Sequence, residues 1–110
     1  MITLKIYKKE NKSELEKEYK VDGYDLMLGT VEDFMAIIDI DKLNDGMELT
    51  KMVVKGYGKL KPLLMDVFPE VTDDELNRTK VSELIKTVME IGMAIGDSLK
   101  ELKTGNLRRA

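Results

Sequence analysis

The chain has 110 residues, 43% of them hydrophobic and 35% charged, with a net charge of -3 and with neither cysteine nor histidine. A chain of this length makes a single domain that buries roughly 65% of its unfolded surface, and without thiols or imidazoles it has no disulfide framework, zinc ribbon, thiolate nucleophile or histidine base. No apolar run reaches the ~18 positions of a membrane span, and the opening Met1-Ile2-Thr3-Leu4-Lys5 lacks the basic-then-apolar order of a signal peptide, so cytoplasmic folding is the expectation.

Ile2, Leu4 and Ile6 alternate with Thr3 and Lys5, the period-2 pattern of a half-buried strand, and Tyr19 with Val21 resumes it after the polar turn at Asn11-Lys12-Ser13. A β-hairpin over 1–21 follows, with its register only loosely specified and with charges on both arms that discourage pairing with other chains. From Asp22 to Gly29, turn residues mix with Leu26, Met27 and Leu28, which predicts an extended connection. Thr30 then stands where an N-cap would, with Asp33 three residues on, and Val31, Phe34, Ile37, Ile38 and Leu43 repeat at helical spacing. Asn44-Asp45-Gly46 breaks that helix. Asp45 with Glu48 repeats the cap pattern ahead of Leu49, Met52, Val53, Tyr57, Leu60, Leu63, Leu64 and Val67, the apolar stripe of a second helix. Gly56 and Gly58 each weaken it by about 1 kcal/mol relative to Ala. Pro62 cannot donate to the Gly58 carbonyl, so a kink or break near Gly58 is predicted.

Pro69 stops this helix, and Val71-Thr72-Asp73-Asp74-Glu75-Leu76 carries the clearest local signal in the chain. Thr72 and Glu75 form a capping box, Val71 and Leu76 occupy the hydrophobic-staple positions, and three acids sit at the positive end of the new helix. Thr79 is placed to cap a final, longer helix with Val81, Leu84, Ile85, Val88, Ile95, Leu99 and Leu102 on its core face and Glu83, Lys86, Glu90 and Lys100 opposite. Gly92 and Gly96, four apart, permit close packing of a neighbour or are merely tolerated. The predicted architecture is mainly α (α+β): one domain over 1–104, made of the 1–21 hairpin and three to four packed helices within 30–104, and a flexible polar tail at 105–110.

Charge is uneven along this layout. Residues 22–50 hold Asp22, Asp25, Glu32, Asp33, Asp39, Asp41, Asp45 and Glu48 against Lys42 alone, a net of -7, so that segment is a solvated face or a docking surface for a basic partner. No basic face is large enough to neutralise a phosphate backbone, which argues against a small regulatory DNA-binding protein.

Candidate chemistry is sparse. Asp39 with Asp41, or Asp73 with Asp74, are acid pairs of the kind that serve as glycosidase carboxylates or hard-cation ligands, yet no EF-hand spacing, phosphate-cradling loop or serine elbow accompanies them. Gly56-Tyr57-Gly58-Lys59 lacks phosphate-loop spacing and lies within a helical stripe. The reading is a protein that is not an enzyme, with no catalytic, cofactor or metal residues. Eight methionines, among them Met27, Met35, Met47, Met52, Met65, Met89 and Met93, suit irregular core gaps or adaptable binding surfaces; two Phe and no Trp leave few large aromatic anchors.

With a hairpin ahead of an all-helical remainder, and with Leu63-Leu64-Met65-Asp66-Val67-Phe68-Pro69-Glu70-Val71-Thr72-Asp73-Asp74-Glu75-Leu76 followed by Val81-Ser82-Glu83-Leu84-Ile85, the chain resembles the tail assembly chaperones of long-tailed bacteriophages and prophages. Residues 1–45 share the pattern only. The resemblance implies a host-cytoplasmic protein that coats the hydrophobic tape measure protein until tail tube protein displaces it, and that is absent from the mature virion. It also implies a longer frameshifted product in some members. On this reading Met52, Tyr57, Leu60, Met89 and Met93 are the candidate protein-binding residues. The alternative is a structural tail or head-completion subunit that forms homo-oligomeric rings.

Overall fold

The computed structural model describes the side chains of residues 1–97, Tyr24 excepted, and the backbone as far as residue 109. Strands β1 (Ile2–Tyr7) and β2 (Leu15–Val21) form the expected antiparallel hairpin. Its register pairs Ile2 with Val21 and Leu4 with Tyr19. The alternation is complete in β1, where Ile2, Leu4 and Ile6 are buried while the residues between them are half-buried. At the turn, Asn11 Oδ1 accepts the Ser13 N–H at 3.2 Å, an Asx turn that accounts for the polar triplet. Ile6 pairs with Lys17 but Tyr7 with Leu15, so a bulge skips Glu16. Arg78 explains it: its guanidinium donates to the Glu16 carboxylate at 3.0 Å and to the Tyr7 carbonyl at 3.1 Å.

Five α-helices follow: α1 (Leu28–Ile37), α2 (Gly46–Lys55), α3 (Tyr57–Val67), α4 (Asp73–Asn77) and α5 (Val81–Arg109). Short 3-10 turns at Gly23–Asp25 and Ile40–Lys42 flank α1. Two predicted caps hold: the Asp45 side chain accepts the Glu48 N–H, and Thr72 with Glu75 makes both bonds of the capping box, its staple residues Val71 and Leu76 buried. Thr30 is different from expectation. It lies inside α1 and is buried, the N-cap being Met27 with no side-chain bond, because packing of Thr30 and Phe34 fixes this short helix without a cap. Thr79 does not cap α5 either. Its N–H closes the exit turn of α4 on the Leu76 carbonyl, and the first α5 bond runs from Leu84 N–H to the Lys80 carbonyl.

The break in the predicted second helix falls at Gly56, two residues before the expected Gly58. Gly56 ends α2 by donating to the Met52 carbonyl at 2.8 Å and starts α3 by accepting from Leu60 at 2.9 Å, while Pro62 stays within α3. A Cβ on Gly56 would stand 2.7 Å from Ile37 Cγ2 and 2.9 Å from the Met52 carbonyl, so close approach of α1 sets the position of the break.

One apolar core joins all of these elements. It runs from Ile2, Leu4 and Ile6 through Phe34, Leu49, Leu60, Leu64 and Phe68 to Leu84, Val88, Ile91 and Ile95. The predicted inward face of α5 holds at Leu84, Val88 and Ile95, but Val81 is exposed, Ile91 and Thr87 are buried as well, and Glu90 turns back to accept the Thr3 N–H at 3.0 Å. The placement expected of Leu99 and Leu102, and the tail over 105–110, lie outside the described side chains. Within α5, Gly92 packs on Leu43, where an added Cβ would meet Cδ1 at 2.5 Å, whereas Gly96 has nothing within 4 Å.

Glu75 ties the hairpin to α4. It is buried and accepts from Tyr19 Oη at 2.7 Å, from the Thr72 N–H at 3.0 Å and from Lys17 Nζ at 3.1 Å. Burial pushes its carboxyl up, but the bonds from Tyr19, Thr72 and Lys17 outweigh that and hold it below the ordinary carboxylate value. Because the folded-state pKa is lowered, this stabilisation is complete above the ordinary carboxylate range and is lost as pH falls through the lowered value.

Two predictions follow from these contacts. Glu75→Gln lowers the free energy of unfolding at neutral pH by about 1–3 kcal/mol, as the cluster loses its negative charge and one of its two acceptor oxygens, and flattens the acid limb of the stability profile; urea melts of both proteins across pH check this. Gly96→Ala gains helix propensity without a clash while Gly92→Ala must displace Leu43, so calorimetry should find the former more stable than the latter by about 1–3 kcal/mol.

Candidate functional site

The acid pairs have structural duties. Asp39 caps its 3-10 turn by accepting the Asp41 N–H at 3.0 Å, Asp73 pairs with Lys61 at 2.8 Å, and Asp74 lies 3.5 Å from Lys9 and 3.3 Å from Arg78. Among the described residues no three His, Cys, Asp or Glu side chains converge as metal ligands, and no helix is long and apolar enough to cross a membrane. Gly56 to Lys59 form the α2–α3 junction and the first turn of α3. The surface features that remain are apolar grooves, exposed aliphatic or thioether side chains, and a cleft of about 400 Å³ lined by Lys8, Lys9, Lys12, Arg78 and Lys80.

The five candidate residues fall in different places. Leu60 has no accessible surface and packs in the core, so in this fold it offers nothing to a client; its place on the apolar stripe reports inward packing. Met89 is half-buried against the same core. Met52 is half-buried between α1 and α2, where its Sδ accepts the Asp39 N–H at 3.4 Å. Tyr57 borders a cleft of about 270 Å³ shared with Val53, Val54, Leu76, Val81 and Leu84. Its hydroxyl donates to Asn77 Oδ1 at 3.4 Å, and burial pushes its pKa up. Met93 is 60% exposed and lines a separate groove of about 440 Å³ beside Met1, Asp22, Glu90 and Asp97. The candidates therefore do not share one patch.

A more extensive surface lies on residues that the helical periodicity passed over. Met27, Leu28, Met35 and Met47 are between 50% and 75% exposed, and all four belong to the acidic 22–50 block. The signal for them was present as apolar residues off the core stripe within a segment of net charge -7, a combination that a solvated face has no need of. Alongside them, Met35, Ala36, Ile37, Ile40 and Met52 line a groove of about 520 Å³ with Asp39 and Asp41 on its rim. The arrangement suits reversible protein contact: flexible thioethers for adaptable packing, with carboxylates around them to keep the free surface soluble.

No family model, curated protein or solved structure matches the chain.

Replacing a core and a surface candidate separates their roles. Leu60→Ala lowers stability by about 2–5 kcal/mol, whereas Met93→Ala and Met35→Ala stay within about 0.5 kcal/mol of the parent, as chemical denaturation of the three variants would show.

Proposed function

We propose that the chain is a phage tail assembly chaperone that binds apolar helical segments of the tape measure protein during tail morphogenesis, works in the host cytoplasm and is left out of the finished virion. The observation that carries the reading is the exposure of Met27, Leu28, Met35 and Met47 within residues 22–50, a segment of net charge -7. Support also comes from the order of elements, a hairpin followed by helices with the Phe68-Pro69 stop and the Thr72–Glu75 capping box between the third and fourth of them, as the resemblance implies. A holding chaperone needs no catalytic group; it needs many weak, reversible apolar contacts and enough charge to stay dissolved with its client.

Co-expression with fragments of the tape measure protein from the same genome tests the reading. The expected result is recovery of an otherwise insoluble fragment in a soluble complex, and loss of that recovery in Leu28→Asp/Met35→Asp. Fragments that stay insoluble while this chain alone assembles closed rings would assign it instead to a structural tail or head-completion subunit.

A further inference from the structure

The grooves beside α1 and α2 carry an asymmetry that a general sticky surface does not require. Two adjoining cavities, of about 520 Å³ and 480 Å³, share Ala36, Ile37 and Met52 as walls and so form one continuous apolar trough. At one end the lining is acidic, with Asp39 and Asp41; at the other it carries Lys51, Lys55 and Lys59 against Glu48 alone and is cationic on balance. Lys51 is only loosely paired with Glu48, at 3.9 Å, and among the described residues Asp41, Lys55 and Lys59 have no ion-pair partner. The floor is apolar because Ile37 packs over Gly56 and Met52 is held by the Asp39 N–H, so the trough forms where the end of α1 and the residues after it meet α2 and the α2–α3 junction.

We propose that this trough takes one amphipathic helix of a partner chain, its apolar stripe on Ala36, Ile37 and Met52, its cationic end against Asp39 and Asp41 and its acidic end against Lys55 and Lys59. An extended trough with exposed side chains on both rims admits a helix face in the helix-in-groove mode. The opposed charges fix its direction and discriminate against helices of uniform charge, since the wrong sign at either end leaves like charges juxtaposed. For the tape measure client the inference rests on the chaperone reading; for helix binding it stands alone.

The test uses the full chain and three designed helical peptides with the same leucine stripe: one with lysines at one end and glutamates at the other, one with lysines throughout and one with glutamates throughout. Fluorescence anisotropy should rank the bipolar peptide tightest, by about fivefold to tenfold over either uniform peptide, the scale of two or three exposed ion pairs. Asp41→Lys should move the preference to the glutamate peptide, Lys55→Glu/Lys59→Glu should move it to the lysine peptide, and Ala36→Glu should abolish binding of all three. A spin label on the cationic end of the bipolar peptide should broaden the Met35 and Ile40 methyl signals and spare the amides of Gly58 and Lys59. Equal affinities for the three peptides, or a preference that neither charge substitution moves, would overturn the proposal. The two readings fail separately. Recovery of tape measure fragments by Ala36→Glu as fully as by the parent removes the trough as the client site and leaves the chaperone reading standing; peptide switching without recovery of any fragment does the reverse.

Discussion

The outer edge of β1 is the constraint on which the rest of the molecule depends. A two-stranded ribbon is marginal by itself, and the strand side that faces away from β2 presents unpaired N–H and carbonyl groups at the very place where Ile2, Leu4 and Ile6 must be buried. Side chains of α5 solve both problems together. Glu90 accepts the Thr3 N–H, Thr87 donates to the Thr3 carbonyl at 2.6 Å, and at the other end Arg78 supplies a carbonyl to Tyr7 N–H and a guanidinium to the Tyr7 carbonyl. The helix that covers the apolar face thus also terminates the ladder. These contacts join positions 84 and 87 residues apart, so the outer edge of β1 is capped at Thr3 only when nearly the whole chain has been brought together.

This explains which parts of the fold could be read in the sequence. The hairpin faces, the Asp45 cap and the Thr72–Glu75 box rest on residues within a few positions of one another, and local chemistry decides them. The rest was hidden because a distant partner decides it. Thr30 resembles a cap but is drawn into α1 by burial, and the break moves to Gly56 because α1 presses on that position; Thr79 is the local exception, its N–H taken by the exit turn of α4 three residues back. Thr87 and Glu90, polar residues on a helix with a strong apolar stripe, gave no sign of facing a strand edge.

The candidate site was less legible for a related reason. Apolar periodicity reports the face that packs inward, so Leu60, chosen from the stripe, is core by the same pattern that drew attention to it. Exposed apolar residues such as Met27, Leu28, Met35 and Met47 fall off the period and leave only a compositional trace. Residue type still pointed toward Met52, which lies at the wall of the α1–α2 trough; the charges at its two ends come from separate elements that only the fold brings into line.

Both phenylalanines are consumed by the core, Phe34 beneath α1 and Phe68 beside Tyr19 with ring centroids 6.3 Å apart. With no tryptophan in the chain, tyrosine is the large aromatic left outside the phenylalanine core, and among the described residues Tyr57 borders a cleft. On the proposed reading, binding through the exposed Met27, Leu28, Met35 and Met47 would be assembled from thioether and aliphatic contacts, each weak, and a client would be retained only while several are made at once. A surface of that kind would release a client when a competitor covered part of it, because the loss of a few contacts removes most of the avidity. Charge contributes in another way: exposed carboxylates and lysines add little affinity but set which helices are admitted and in which direction they lie. The division assigns strength of holding to the number of apolar contacts and choice of segment to the ends of the trough, so the two can change independently by substitution on the rim or on the floor.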